Sequence, residues 1–117
     1  MTICIVDDDD GVRSSLANYL RAAGLYVRAF DSAELFLTSS YSTTADCLIT
    51  DLHMPDLDGL GLQRELNRMG RRFPVVVMTA FPAMAARRVS SQLGAAAFFE
   101  KPLDPDALLE KLEEILR

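Results

Sequence analysis

Five short apolar runs, "TICIV", "YVRAF", "DCLIT", "PVVVMT" and "AAFFE", recur along the chain, and each leads into a stretch with apolar residues at helical spacing. This alternation constrains the fold more than any other feature. Three of the runs are nearly continuous in Val, Ile, Leu, Cys or Met, as strands covered on both faces require. Strand–helix alternation at this spacing predicts a parallel sheet with helices on both sides. Residues 24–30 are less apolar and carry Arg28 in their middle, which predicts an edge strand. At 117 residues, half of them apolar, the chain is expected to form one domain with a core that needs no staples.

The helical stretches carry their own punctuation. In "GVRSSLANYLRAAG", Val12, Leu16, Tyr19, Leu20 and Ala23 recur on one face and Gly24 supplies the stop. "DSAELFL" places Asp31 and Glu34 at capping-box spacing. "DGLGLQRELNRMG" sets Leu62, Leu66 and Met69 on one face and ends at Gly70, while "AMAARRVSSQLG" has Val89 and Leu93 as its few large apolar anchors. In "DPDALLEKLEEILR", Asp104 is the expected N-cap and Pro105 the first helical residue, with Leu108, Leu112, Ile115 and Leu116 facing inward. "TSSYSTTA" reads as a polar connector.

Charge and cysteine usage exclude several classes. A formal net charge of -5 argues against a nucleic-acid surface held by charge, since phosphate binding needs a basic footprint. Cys4 and Cys47 sit inside apolar runs and read as buried thiols; no Cys-x-x-Cys or histidine cluster supports a metal pair. No stretch resembles a signal peptide and no apolar run approaches a membrane span, so a cytoplasmic domain is expected.

The first strand runs into four aspartates, Asp7 to Asp10. Two unit charges about 4 Å apart repel by roughly 4 kcal/mol at an effective dielectric near 20. Either the cluster disperses into solvent or a cation sits there. Ligands of open parallel sheets bind outside the carboxyl ends of the strands. Those ends hold Asp7 and Asp8, Asp51, Thr79, and Glu100 leading into Lys101-Pro102. Clustered carboxylates suit Mg²⁺, which prefers to share its sphere with a phosphate. A carboxylate among them can become an acyl phosphate, and a metal, a lysine and a hydroxyl suit the equatorial oxygens of a transferring phosphoryl group. Taken singly each residue has a plainer reading: a solvated acidic turn, a packing threonine, a surface lysine. Asp9 and Asp10 are assigned that plain role, as cap and first-turn acid of the first helix.

"IVDDDDGVR", "LITDLHMPDLDGLGL", "VVVMTAF" and "FFEKPLDPDALL" together resemble, over essentially the whole chain, the motifs of bacterial response-regulator receiver domains, most nearly those with a LuxR-type helix-turn-helix tail. The resemblance implies a flavodoxin-like (βα)5 three-layer sandwich, with a parallel five-stranded sheet of order 2-1-3-4-5. It makes residues 1–117 a receiver domain and Asp51 the phosphoacceptor for a sensor histidine kinase. Asp8 would be a direct ligand of Mg²⁺ (or Mn²⁺), Asp7 would act through a metal-bound water, and the backbone carbonyl of His53 would complete the set. Thr79 and Lys101 would contact the phosphoryl oxygens, and the Lys101-Pro102 bond would be cis. Phe98 would be the aromatic switch that follows Thr79, repacking the surface of the fourth predicted helix, fifth strand and last helix. His53 and Phe81 would flank the site and limit entry of hydrolytic water. Gly11 stands where relatives often have proline, which loosens the entry to the first helix.

A helix-turn-helix output domain, if one exists, belongs to a segment absent from this sequence. A homodimer could form on phosphorylation, with Arg87 and Arg88 facing Asp106, Glu110, Glu113 and Glu114, or these could be solvated faces. No membrane or direct nucleic-acid contact is expected. The competing reading is a small Mg²⁺-dependent phosphohydrolase with an aspartate nucleophile, although such enzymes usually want a second acid where His53 stands. A flavodoxin-like electron carrier conflicts with the acidic first loop. A pseudo-receiver conflicts with the complete acid–threonine–lysine set.

Overall fold

The structure is a computed structural model and describes residues 1–81 and 83–117. Strands β1 (Thr2–Val6), β2 (Tyr26–Phe30), β3 (Cys47–Asp51), β4 (Val75–Thr79) and β5 (Ala97–Glu100) form one parallel sheet of order β2-β1-β3-β4-β5. Among the described residues, six helices connect and follow them: α1 (Asp10–Ala22), α2 (Ala33–Thr38), α3 (Tyr41–Thr44), α4 (Gly59–Arg68), α5 (Met84–Gln92) and α6 (Pro105–Ile115). The strand order reverses direction between β1 and β3, which opens a crevice at their carboxyl ends.

Period-two alternation splits each strand between two cores. Ile3, Ile5, Cys47, Ile49, Val76 and Met78 face α1 and α6, meeting Leu16, Leu20, Leu108 and Leu112. Cys4, Val6, Leu48, Val75 and Val77 face the other way, toward Phe36, Leu62 and Leu66. Coverage on both sides explains why β3 and β4 are buried at every residue. The edge position expected for β2 is observed, with Tyr26, Arg28 and Ala29 exposed. Arg28 lies across the rings of Tyr26 and Tyr41 and donates to both of their hydroxyls.

Three local expectations are corrected. The connector "TSSYSTTA" contains the one-turn helix α3, whose Thr43 and Thr44 hydroxyls bond back to the Ser40 carbonyl. The cap of α2 is Ser32, not Asp31: its hydroxyl accepts from the Leu35 amide at 3.2 Å, because the chain leaving β2 turns one residue later. Met69 is the C-cap of α4, beyond its last turn, and stays 42% exposed. The caps Asp9, Asp58 and Asp104 all accept from first-turn amides, and Pro105 opens α6. Cys4 and Cys47 are free and buried, and burial pushes both thiols up to about 12. Among the described residues, no helix is long and apolar enough to cross a membrane.

Candidate functional site

Strand geometry brings the scattered acids together. The carboxylate oxygens of Asp7, Asp8 and Asp51 lie within 4.8 Å of one another at the carboxyl ends of β1 and β3. Asp7 is fully buried and Asp51 is 5% exposed, whereas Asp8 is open to solvent. Asp9 caps α1 through its bond from the Val12 amide at 3.0 Å, and Asp10 occupies the first turn, as expected of both. The Asp9 amide donates to Asp7 Oδ1 at 2.9 Å.

The lysine arrives from 94 residues away. Its Nζ lies 2.9 Å from Asp7 Oδ2 and 3.3 Å from Asp51 Oδ1, with the side chain 15% exposed. The repulsion between adjacent acids is thus answered by an ammonium group between two of them. The Lys101-Pro102 peptide is cis, and the Lys101 amide donates to the Thr79 carbonyl at 2.7 Å. Thr79 is buried at the end of β4, with its hydroxyl accepting from the Phe81 amide at 3.0 Å.

Close packing at the end of β3 fixes Asp51. A Cβ at Gly59 would stand 2.6 Å from the Asp51 carbonyl oxygen, so only glycine lets α4 begin so close to the strand. Between them Asp56 adopts a left-handed φ of 62°, a conformation that aspartate tolerates better than most residues. Glu34 reaches into the same loop from α2 and accepts from the Leu57 amide at 3.4 Å.

Around the rim, the rings of His53 and Phe81 meet edge to face, with centroids 5.7 Å apart. Phe98 is half-buried beside the second core, in register with Val77, and the Arg87 guanidinium lies 5.5 Å from its ring centroid. That Arg87 contact was not visible in the sequence, because an exposed arginine on a polar face carries no signal of its partner. Arg13, whose guanidinium reaches the Asp7 carbonyl at 2.7 Å, was missed because a long cationic side chain carries no local signal of the main-chain atom it meets.

Burial, and secondarily the charge of Asp7, push the Asp51 carboxyl above its usual 3.8, while Lys101 pulls it back in part. For Lys101, burial pulls down, yet its bonds and charge pairing with Asp7 and Asp51 outweigh it and hold the ammonium above 10.5. The native state therefore binds the Asp51 proton more tightly than the unfolded chain. Linkage makes metal-free stability fall as pH rises from about 3.8 through the raised Asp51 value. Lys101 acts at the other end: its contribution is complete below 10.5 and is lost as pH climbs through its folded value. Urea midpoints measured from pH 3.5 to 7 in chelator should show the Asp51 component, and Asp51→Asn should remove it.

These features fit the fold's ligand rule and a specific family. The family described as "Response regulator receiver domain" matches residues 3–113. The chain belongs to that family. Receiver domains are the phosphorylation switches of two-component systems, and the acidic pocket of the family binds Mg²⁺. Over 109 residues the chain is 39% identical to the transcriptional regulatory protein FixJ of Azorhizobium caulinodans, covering 93% of this chain and 52% of that protein. It is 33% identical over 115 residues to the response regulator protein TodT of Pseudomonas putida, covering 98% and 51%. The crystal structure of FixJ-N superposes with a TM-score of 0.88 at 34% identity, covering 98% of this chain and 92% of that one. This receiver spans about half the length of the curated relatives it matches.

Proposed function

We propose that this receiver accepts a phosphoryl group on Asp51 from the phosphohistidine of a sensor histidine kinase. The observation that carries the reading is the convergence of Asp7, Asp8, Asp51 and Lys101 at one crevice, with Thr79 at the end of the adjoining strand. The donor set fits a hard divalent cation: three carboxylates from two strands, one of them exposed. Asp8 and Asp51 would hold Mg²⁺ (or Mn²⁺) directly, with the His53 carbonyl, and Asp7 through a water. When bound, the cation would neutralise charge on the equatorial oxygens of the incoming group.

The remaining steps belong to the chain's own atoms. An Asp51 carboxylate oxygen attacks phosphorus, the phosphorus–nitrogen bond of the phosphohistidine breaks, and the imidazole leaves. Lys101 shifts from its carboxylate pair toward the phosphoryl oxygens, and the Thr79 hydroxyl turns to donate to them. Phe98 moves into the space Thr79 vacates and leaves Arg87, which repacks the α5–β5–α6 face. Support for a yielding face comes from α5, where Ser90 is the one fully buried residue. The Ser90 hydroxyl and the amide oxygen of Gln63, which packs against it from α4, have no hydrogen-bond partner among the described residues, so α5 is loosely held on its α4 side. An output domain of helix-turn-helix type, outside this segment, and a dimer of phosphorylated copies are the readers this face would serve. A kinase donor places the protein in the cytoplasm.

The test is incubation with Mg²⁺ and a small acyl-phosphate donor, followed by intact-mass spectrometry. One added phosphoryl group, absent in chelator, is expected. No label overturns the reading, and rapid multiple turnover of phosphate esters favours the hydrolase instead. The His53–Phe81 pair should slow loss of the label by limiting water at the rim. His53→Ala and Phe81→Ala are each expected to give several-fold faster loss, and unchanged decay would remove that role.

A further inference from the structure

We propose that Arg13 is a positioning residue for metal uptake, clasping the main chain so that Asp8 presents its carboxylate in the direction a cation requires. The inference rests on the reading of Asp8 as a metal ligand. Arg13 Nη1 donates to the Asp7 carbonyl at 2.7 Å, while Nη2 pairs with the Asp10 carboxylate. The Arg13 side chain is only 18% exposed, against 87% for Asp10. An exposed pair one helical turn apart contributes little by itself. The bond to the main chain is the informative one.

The Asp7 carbonyl and the Asp8 amide belong to a single planar peptide unit. Holding the carbonyl therefore fixes the backbone torsions on either side, and with them the Cα–Cβ direction of Asp8. Among the described residues, no other hydrogen bond reaches this peptide unit or the Asp8 carboxylate. Asp7 is secured differently, by Lys101 and the Asp9 amide. Asp8 thus depends on main-chain direction alone. The helix that anchors the clasp begins with Gly11 in its first turn, a residue about 1 kcal/mol poorer than alanine in a helix. Arg13 brackets that soft turn, its amide bonded to the Asp9 carbonyl and its guanidinium to Asp7 and Asp10.

Charge and clasp predict opposite results. If Arg13 acted as a nearby cation, removing it would tighten Mg²⁺ binding. If it acts as a clasp, removal weakens binding, because partners that orient metal ligands are typically worth about 10- to 100-fold in affinity. Calorimetric Mg²⁺ titration of the full chain is expected to show Arg13→Met binding about tenfold more weakly than wild type. Arg13→Lys, which can still donate to the carbonyl, should recover most of the loss. In metal-free protein, amide exchange at Asp8 and Asp9 should be faster in Arg13→Met. Arg13→Gln serves the same comparison should the methionine variant fail to fold. Equal or tighter binding by Arg13→Met or Arg13→Gln, alongside normal wild-type uptake, overturns this inference alone. No uptake by wild type overturns the metal-site reading and this inference with it.

Discussion

Asp51→Asn is expected to lower Mg²⁺-dependent phosphoryl uptake by at least about a thousandfold, the scale on which removing an attacking group acts. An amide oxygen keeps the shape and the bond to Lys101 but is a poor nucleophile. The neighbouring acids cannot substitute. Asp7 is fully buried, with Oδ2 against Lys101 and Oδ1 accepting from the Asp9 amide, so neither oxygen is open to an incoming phosphorus. Asp8 is exposed, but the Lys101 ammonium that would pair with the phosphoryl oxygens lies against Asp7 and Asp51 and not against Asp8. Intact mass after incubation with an acyl-phosphate donor reads the result directly. Labelling of the asparagine variant at a substantial fraction of the wild-type rate would move the acceptor elsewhere.

Lys101→Met should destabilise the metal-free fold by about 3 kcal/mol, the lower end of what breaking one side of a buried ion pair costs. Its Nζ stands between Asp7 and Asp51, whose side chains are 0% and 8% exposed. Methionine leaves two carboxylates facing each other with no counter-charge. The exposed position of Asp8 admits water at the rim, which keeps the cost from the upper end of that range. The same deletion should tighten Mg²⁺ binding, since a cation would then relieve the unpaired charge. Saturating Mg²⁺ is accordingly expected to restore most of the lost stability, because a ligand that binds only the folded state raises it. Urea denaturation with chelator and with excess Mg²⁺ measures both arms. A variant as stable as wild type in chelator, or one that Mg²⁺ does not rescue, would show that the lysine is not the counter-ion of the pocket.

Much of this was legible in the chain because it is local. Strand runs buried on both faces, the stops at Gly24 and Gly70, and the caps Asp9 and Asp104 depend on neighbours a few residues away. The site residues could be collected because a parallel sheet sends every strand end to one rim, so Asp7, Asp8, Asp51, Thr79 and Lys101 needed only the strand pattern to be grouped. Where local signals competed, the sequence could not choose. Asp31 and Ser32 are both good caps, and the path of the chain out of β2 selected Ser32. Residues 38–45 look like a connector by composition, yet hydroxyl-to-carbonyl bonds close one helical turn there.

By itself the sequence determined the order of the strands and longer helices, the two-faced burial of the sheet and the identity of the acids at its rim, because each is written in spacing over two to four residues. Only the tertiary structure decided how those acids are neutralised and aimed. It set Lys101 between Asp7 and Asp51, Arg13 on the Asp7 carbonyl, and Arg87 over Phe98. Long cationic side chains can reach in many directions. Which partner each one meets is fixed when the helices dock on the sheet, a long-range event with no local signature.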